Sequence, residues 1–222
     1  FTYAAGDRLL AEDLPHLDRL RAQLREDRST RAPGPPPEPI RRRFAALRAR
    51  VPLLRRAIPP GMALELDWDA VPTSRREDLA LRPWEFVPED EPLGRLVIYR
   101  TAGTTGHPVS VPHHPLAIGS YAPLVEFALE RHGARVDARP DRAACFLLSA
   151  QIRTYTYATI LAAWGGAGFA KLNLRPTEWP RSDSARRYLE EFSPRLLTGD
   201  PVAFAALRDL GASVRPQALI ST

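Results

Sequence analysis

Arg195-Leu-Leu-Thr-Gly-Asp-Pro-Val-Ala-Phe-Ala-Ala-Leu-Arg-Asp-Leu-Gly211 decides the fold. Arg195 to Thr198 reads as a strand. Asp200 stands where a helix N-cap belongs, because its carboxylate can accept from the free N–H groups of a first turn. Pro201 follows at the first helical position, where a missing N–H leaves no bond unmade, and Gly211 suits the stop. A strand passing straight into a capped helix is half of a crossover unit. Ala143-Ala-Cys-Phe-Leu-Leu148 is apolar throughout, as a strand buried on both faces should be. Phe169 to Leu174 and Gln217 to Ser221 read as further strands. A helix over 182–193 starts at Ser182 or Asp183 and turns Ala185, Tyr188, Leu189 and Phe192 inward. Tyr155 to Trp164 reads as a helix ended by Gly165-Gly166. The alternation from residue 143 onward predicts an α/β fold, with a largely parallel sheet joined by right-handed crossover helices.

Upstream, the pattern predicts an N-terminal helical region over 1–57. Leu10, Leu14, Leu17 and Leu24 recur at helical spacing between Asp7 and Arg28, with Pro15 as a break or second start. Ala32-Pro-Gly-Pro-Pro-Pro-Glu-Pro39 is an extended, polyproline-like segment that reads as a spacer between helices, with an SH3-type ligand as the alternative. Ile40, Phe44, Leu47, Val51 and Leu54 give a second apolar stripe. Residues 58–94 are turn-rich, and Thr73-Ser-Arg-Arg-Glu77 resembles a capped short helix. The α/β portion is expected to span 95–222. It opens with strand 95–100, a hairpin returning through Val109-Ser-Val111, and a helix from Pro115 to Arg131. Tyr121, Leu124, Val125 and Ala128 are expected on the inner face of that helix, with Gly133 at its stop.

The 222 residues, 44% of them hydrophobic, suffice for a real core. The net charge of +5 is spread out and is almost all arginine. Arg41, Arg42, Arg43, Arg48, Arg50, Arg55 and Arg56 form either a solvated face of a packed helix or a nucleic-acid or membrane surface. The only aromatic residue among them, Phe44, belongs to the apolar stripe, which favours the first reading, so no nucleic-acid partner is expected. The single cysteine, Cys145, lies in an apolar run and reads as a buried structural thiol. No run approaches the ~18 apolar residues of a membrane span and no secretory signal opens the chain, so the expected location is the cytoplasm, away from the membrane. The adjacent pair His113-His114 does not converge naturally on a metal.

Between strand 95–100 and Val109 lies Thr101-Ala-Gly-Thr-Thr-Gly-His-Pro108. Gly103 and Gly106 permit positive φ and let backbone N–H groups converge on an anion; Thr101, Thr104 and Thr105 add hydroxyl donors. It is neither a Walker A loop nor a dinucleotide fingerprint, since its glycines are too close and no Lys-Ser/Thr pair follows. Taken alone, it is either a phosphate cradle or an ordinary hairpin turn.

The octapeptide resembles the signature of the adenylate-forming enzymes, the superfamily of acyl-CoA synthetases, luciferases and peptide-synthetase adenylation domains. Thr101, Gly103, Thr104, Thr105, Gly106 and Pro108 match that signature, and Ala102 takes the place usually held by serine. Three flanking segments resemble the phenylacetate–CoA ligase branch: Phe44 to Arg56 with its Val51-Pro52, Val71-Pro-Thr-Ser-Arg-Arg-Glu-Asp-Leu79, and Pro194 to Leu207. The likeness runs from about residue 40 to the end of the chain.

The resemblance implies an AMP-forming carboxylate ligase. Thr101, Ala102, Gly103, Thr104, Thr105, Gly106 and His107 would hold the β- and γ-phosphates of ATP with Mg2+. A carboxylic acid would become an acyl-adenylate, and coenzyme A or a carrier-protein thiol would displace AMP. Tyr155 and Tyr157, with Trp164, fall where this family lines its acyl pocket. Many members carry lysine where this chain has His107 and Val109; His107 either replaces that charge in part or is an exposed turn residue. Thr198-Gly-Asp200 spells the family's ribose motif but comes too soon after the loop, and Asp200 reads as a helix cap. The resemblance covers the N-terminal portion of such an enzyme, so this chain alone is expected to lack the full reaction. A non-catalytic relative that binds a small molecule or partner is the alternative.

Overall fold

The computed structural model describes residues 8–26, 36–63, 68–100, 109–152 and 154–221. The chain divides into two compact units, one of Phe1–Asp27 with Leu116–Thr222 and one of Arg28–Pro115. The fold is mixed α/β with a mostly parallel five-stranded sheet and an N-terminal helix.

The first unit opens with α1 (Leu14–Glu26), preceded by a 3-10 turn at Ala11–Asp13. Asp13 accepts the Leu10 N–H at 2.9 Å and so caps that turn. In the second unit, helix α2 (Glu38–Arg50) ends at Val51, and α3 (Pro52–Ala57) restarts at once. The apolar stripe expected to run through 40–56 is therefore broken. Pro52 cannot donate back into α2 and forces Val51 into an extended conformation, φ −97° and ψ 117°. Helix α4 (Arg76–Leu81) follows, capped by Asp78, which accepts the Arg75 N–H at 3.1 Å.

The basic residues at the end of α2 and in α3 are paired with the acidic segment beyond α4. Arg50 meets Asp90 at 2.8 Å, Arg55 meets Glu89 at 2.7 Å and Arg56 meets Glu85 at 2.6 Å. Val51, Leu53, Ile58, Val87 and Val109 are buried in this unit. Strands β1 (Val97–Arg100) and β2 (Ser110–His113) pair antiparallel, as the hairpin reading expected.

Helices α5 (Pro115–Gly119) and α6 (Tyr121–Arg131) replace the single helix expected over 115–131. The inner face also differs from expectation. Tyr121 is 66% exposed and Leu124 44%, while Ala122 and Leu129 are buried with Val125 against them. Tyr121, Leu124, Val125 and Ala128 do share one face of the helix, but the core takes the adjoining face of Ala122, Val125 and Leu129.

Five strands form the sheet of the first unit: β3 (Ala143–Ser149), β4 (Tyr157–Leu161), β5 (Ala167–Asn173), β6 (Leu196–Gly199) and β7 (Ala218–Ser221), in the order β4-β5-β3-β6-β7. All neighbours are parallel except β4 and β5. The helix expected over 155–164 is thus overturned: it is strand β4 and a 3-10 turn at Ala162–Trp164. Tyr157, Thr159 and Leu161 are the more covered positions and Ala158 and Ile160 the more exposed, a period of two suited to β-branched and aromatic residues. Gly165 and Gly166, at φ +61° and +86°, turn the chain back into β5. The passage from β3 to β5 runs through this antiparallel edge strand and not through a helix.

Helices α7 (Ser184–Phe192) and α8 (Pro201–Leu210) carry the two remaining crossovers, β5 to β6 and β6 to β7. Ala185, Leu189 and Ala203 from these helices pack with Phe146, Leu148, Ala170, Leu172 and Leu197 on one face of the sheet. Leu17 of α1 and Ala122 and Leu129 of α6 pack with Cys145, Leu196 and Ala167 on the other. A register shift between Ala143 and Cys145 turns both Ala144 and Cys145 toward the second face. Cys145 is 4% exposed, and burial pushes its thiol up to about 12, as befits a structural residue. Among the described residues no helix is long and apolar enough to cross a membrane.

Candidate functional site

The residues Thr101, Ala102, Gly103, Thr104, Thr105, Gly106 and His107 lie outside the described residues, as does Pro108. Their two stems are described. Val97 stands opposite His113, Ile98 opposite Pro112, Tyr99 opposite Val111 and Arg100 opposite Ser110. Directly opposed residues of an antiparallel pair have Cα atoms roughly 5 Å apart. The segment between Arg100 and Ser110 therefore leaves and returns at one place. Tyr99 and His113 meet edge to face at 5.2 Å and stiffen the ribbon below its open end. Burial raises the Tyr99 phenol above its ordinary range. Val109, which follows the loop, is 3% exposed. A side chain there packs inward, so position 109 presents no charge.

The second place of interest is the carboxyl end of the parallel strands. The chain leaves β3 toward β5 on one side and later enters β6 on the other. The two helical crossovers, α7 and α8, both lie on one face of the sheet. Gly199 lies at the end of β6, where a Cβ would come within 3.1 Å of the Leu148 carbonyl oxygen, so this close approach of strands needs glycine. Asp200 does not reach for a ligand here. Its Oδ1 accepts the Ala203 N–H at 2.7 Å, which makes it the N-cap of α8.

Asn173, at the end of β5, is buried and fully engaged. Its Nδ2 donates to the Gln151 carbonyl at 3.0 Å, and its Oδ1 accepts the Arg175 N–H at 3.2 Å. Its own N–H donates to Thr156 Oγ1 at 3.1 Å, and its carbonyl accepts Trp179 Nε1 at 2.7 Å. One side chain and its peptide unit thus fix the loops after both β3 and β5. Ser149, opposite Asn173 in register, is also buried.

Two residues before Asn173 is Lys171. Its register partners complete a row across all five strands: Tyr157, Lys171, Leu147, Thr198 and Ile220. The row lies on the face of Cys145, Phe169 and Leu196, two residues further along each strand. Lys171 Nζ donates to Thr154 Oγ1 at 2.7 Å and is half-buried. Burial lowers its pKa from the ordinary lysine value.

The residues expected to line an acyl pocket fall at the edge of this region. Tyr157 starts β4, opposite Lys171, and its ring lies 6.3 Å from that of Phe169. Tyr155 precedes the strand and is 83% exposed. Trp164 is set apart in the core on the α6 side, where Nε1 donates to Glu126 at 2.9 Å. Lys171 and Asn173 were not among the residues singled out from the sequence. A signal for Lys171 is present there: the 31 lysines and arginines of the chain are 30 arginines and this one lysine.

Compared with known proteins, the chain matches no protein-family model and no curated sequence.

Proposed function

We propose that this chain is the N-terminal part of an AMP-forming carboxylate ligase similar to the phenylacetate–CoA ligase branch, with Thr101 to Pro108 as the loop for the ATP β- and γ-phosphates. The observation that carries the reading is the pairing of Arg100 with Ser110. It closes the stems of a segment rich in glycine and threonine, so that backbone N–H groups and hydroxyls can converge on one anion. Mg2+ bridging the phosphates would offset the remaining charge. Coenzyme A or a carrier-protein thiol is the proposed acceptor.

Calorimetry with Mg–ATP tests the loop. Two hydroxyl bonds to charged oxygens contribute about 1.5–3 kcal/mol each, so Thr104→Ala/Thr105→Ala is expected to weaken binding at least about tenfold. Unchanged binding in the double variant removes the assigned role. The chain alone is expected to give no robust ATP–pyrophosphate exchange with any carboxylate. The buried Val109, where many ligases of this kind have lysine, favours a second reading: a non-catalytic relative that keeps the fold and binds a small molecule. Failure to bind Mg–ATP together with retained binding of an organic acid supports that reading over the first.

A further inference from the structure

The β4 side of the five-stranded sheet is an open edge. Gly168 and Leu174 donate their N–H groups to the carbonyls of Arg142 and Ser149, on the β3 side, and Asn173 donates to Thr156, on the β4 side. Backbone groups alternate in direction along a strand, so Ala167, Phe169 and Lys171 of β5 face β4. Their register partners Leu161, Thr159 and Tyr157 are therefore the bonded positions of β4. The N–H and C=O groups of Ala158 and Ile160 point the other way, out of the sheet. Among the described residues no strand pairs with that side of β4. The one described hydrogen bond to these outward groups is a 3.5 Å contact from the Thr159 hydroxyl to the Ile160 carbonyl.

Folded proteins usually blunt such an edge with charge, proline, a bulge or a cover. In the β1–β2 ribbon, Pro112 cannot donate and blunts the outer side of β2. Strand β4 has no such device. From Thr154 to Ala170 no residue is charged, in a chain that is 26% charged. Its register with β5 is unbroken, and Ile160 is 52% exposed, with Ile152 and Tyr155 exposed just before the strand. What covers this edge must supply an extended backbone and uncharged side chains, and a second copy of β4 supplies both. A twofold axis at Thr159 sets Ala158 opposite Ile160 of the second copy, and Ile160 opposite its Ala158. Every outward backbone group of Ala158 and Ile160 then enters the ladder. On one face the small Ala158 lies beside the large Ile160. On the other, Thr159 meets Thr159 and Tyr157 meets Leu161, pairs that stabilise antiparallel strands, and no like charges meet.

We propose that the chain forms a twofold dimer through antiparallel pairing of β4 with β4 of a second copy, centred on Thr159, which joins the two sheets into one. The proposal concerns the first unit alone and goes beyond the ligase reading without depending on it. A strand pair flanked by Ile152, Tyr155 and Ile160 is small beside the ~1,600 Å² of a standard interface, so monomer and dimer are expected to exchange at micromolar concentration.

Sedimentation velocity from about 1 to about 200 μM is expected to show a monomer–dimer equilibrium. Ile160→Pro removes one outward N–H per copy and leaves the β4–β5 ladder whole, and Ile160→Lys puts a charge on the edge. Each is expected to weaken the dimer at least about tenfold. Oxidation reads the register. The thiols of Thr159→Cys face each other across the axis with Cα atoms about 4.5 Å apart, close enough for a disulfide. Those of Ala158→Cys stand about 8 Å apart, too far to link. Cys145 is buried and takes no part. Copper–phenanthroline is expected to convert Thr159→Cys to linked dimers on a non-reducing gel, and Ala158→Cys far more slowly. A wild-type chain that stays monomeric throughout overturns the proposal, as does an undiminished dimer in Ile160→Lys or equal linking of the two cysteine variants. If Ile160→Pro does not fold, Ile160→Lys decides, since that side chain is already exposed. The ligase reading stands or falls on Mg–ATP binding and is untouched by any of these results.

Discussion

Arg21 and Glu126 meet as a bidentate pair across 105 residues of sequence, at 2.8 Å through Nε and 2.9 Å through Nη2. The same guanidinium donates to the Ala163 carbonyl at 2.7 Å, and the same carboxylate accepts Trp164 Nε1 at 2.9 Å. Helix α1, helix α6 and the turn after β4 are thus tied at one point. The pair is largely shielded, with about a fifth of each side chain exposed. Removing one partner leaves the other charge short of its bonds. Arg21→Met is expected to cost about 1–3 kcal/mol, read as a lower urea midpoint, and Glu126→Gln less than Glu126→Ala because the amide oxygen can still accept from Trp164. An unchanged midpoint in Arg21→Met would show that α1 is held by Leu17 and its apolar neighbours alone.

Cys145 offers a probe of the sheet. It is buried beneath α1 and α6, and its thiol is held far above the range in which thiolates form near neutral pH. Alkylating reagents are expected to leave it unmodified in the native protein and to label it fully in denaturant. Native labelling at the rate of an exposed thiol, measured by mass spectrometry, would contradict its burial beneath α1 and α6.

The legible parts of the fold were those written in local chemistry. Asp200, Pro201 and Gly211 announce α8 because capping, a fixed φ and a positive φ are properties of single residues and their immediate neighbours. Ala143 to Leu148 announces a central strand by apolarity alone. Tyr155 to Trp164 misleads because its composition suits either element, and pairing with the distant Ala167–Asn173 decides. Tyr121 and Leu124 mislead because two adjoining apolar faces of one helix compete, and tertiary packing buries that of Ala122, Val125 and Leu129. The Gly/Thr loop is legible as a motif. Lys171 is not, because a lysine in a strand reads as solvent-facing until register places Leu147 and Thr198 beside it.

Acid is expected to weaken the second unit by a defined route. The Arg75 backbone N–H lowers the pKa of Asp78, Arg56 that of Glu85, Arg55 that of Glu89 and Arg50 that of Asp90. A carboxylate with a folded pKa below its unfolded value binds fewer protons when folded. Its contribution is therefore complete above the unfolded value, about 4, and is lost as pH falls through the folded one. Hydrogen exchange of the α2–α3 amides is expected to hold steady from neutral pH to about pH 5 and to lose protection below about pH 4, after correction for intrinsic rates. Glu85→Gln/Glu89→Gln/Asp90→Asn should flatten that dependence. Salt should lower the starting protection, since Arg50, Asp90, Arg55 and Glu89 are largely exposed and their attraction is screened. An equally steep acid loss in the triple variant would assign it to other carboxylates.

Asp200 separates a structural role from a catalytic one at a residue where the letters Thr-Gly-Asp invite confusion. Its side chain already accepts the Ala203 N–H, and its β-region backbone, φ −81° and ψ 167°, is that of an N-cap. Asp200→Ala is expected to lower stability by about 1 kcal/mol, and Asp200→Asn to restore most of it, because an asparagine oxygen caps nearly as well. A ribose-binding aspartate would behave differently: Asp200→Asn would weaken nucleotide binding while stability held. Measuring urea midpoints and Mg–ATP affinity on both variants therefore decides the role. Reduced stability in Asp200→Ala, with nucleotide affinity unchanged in the folded Asp200→Asn protein, is the expected pattern. Nucleotide affinity lost in Asp200→Asn at full stability would instead make Asp200 a ligand residue and return Thr198-Gly199-Asp200 to the nucleotide site.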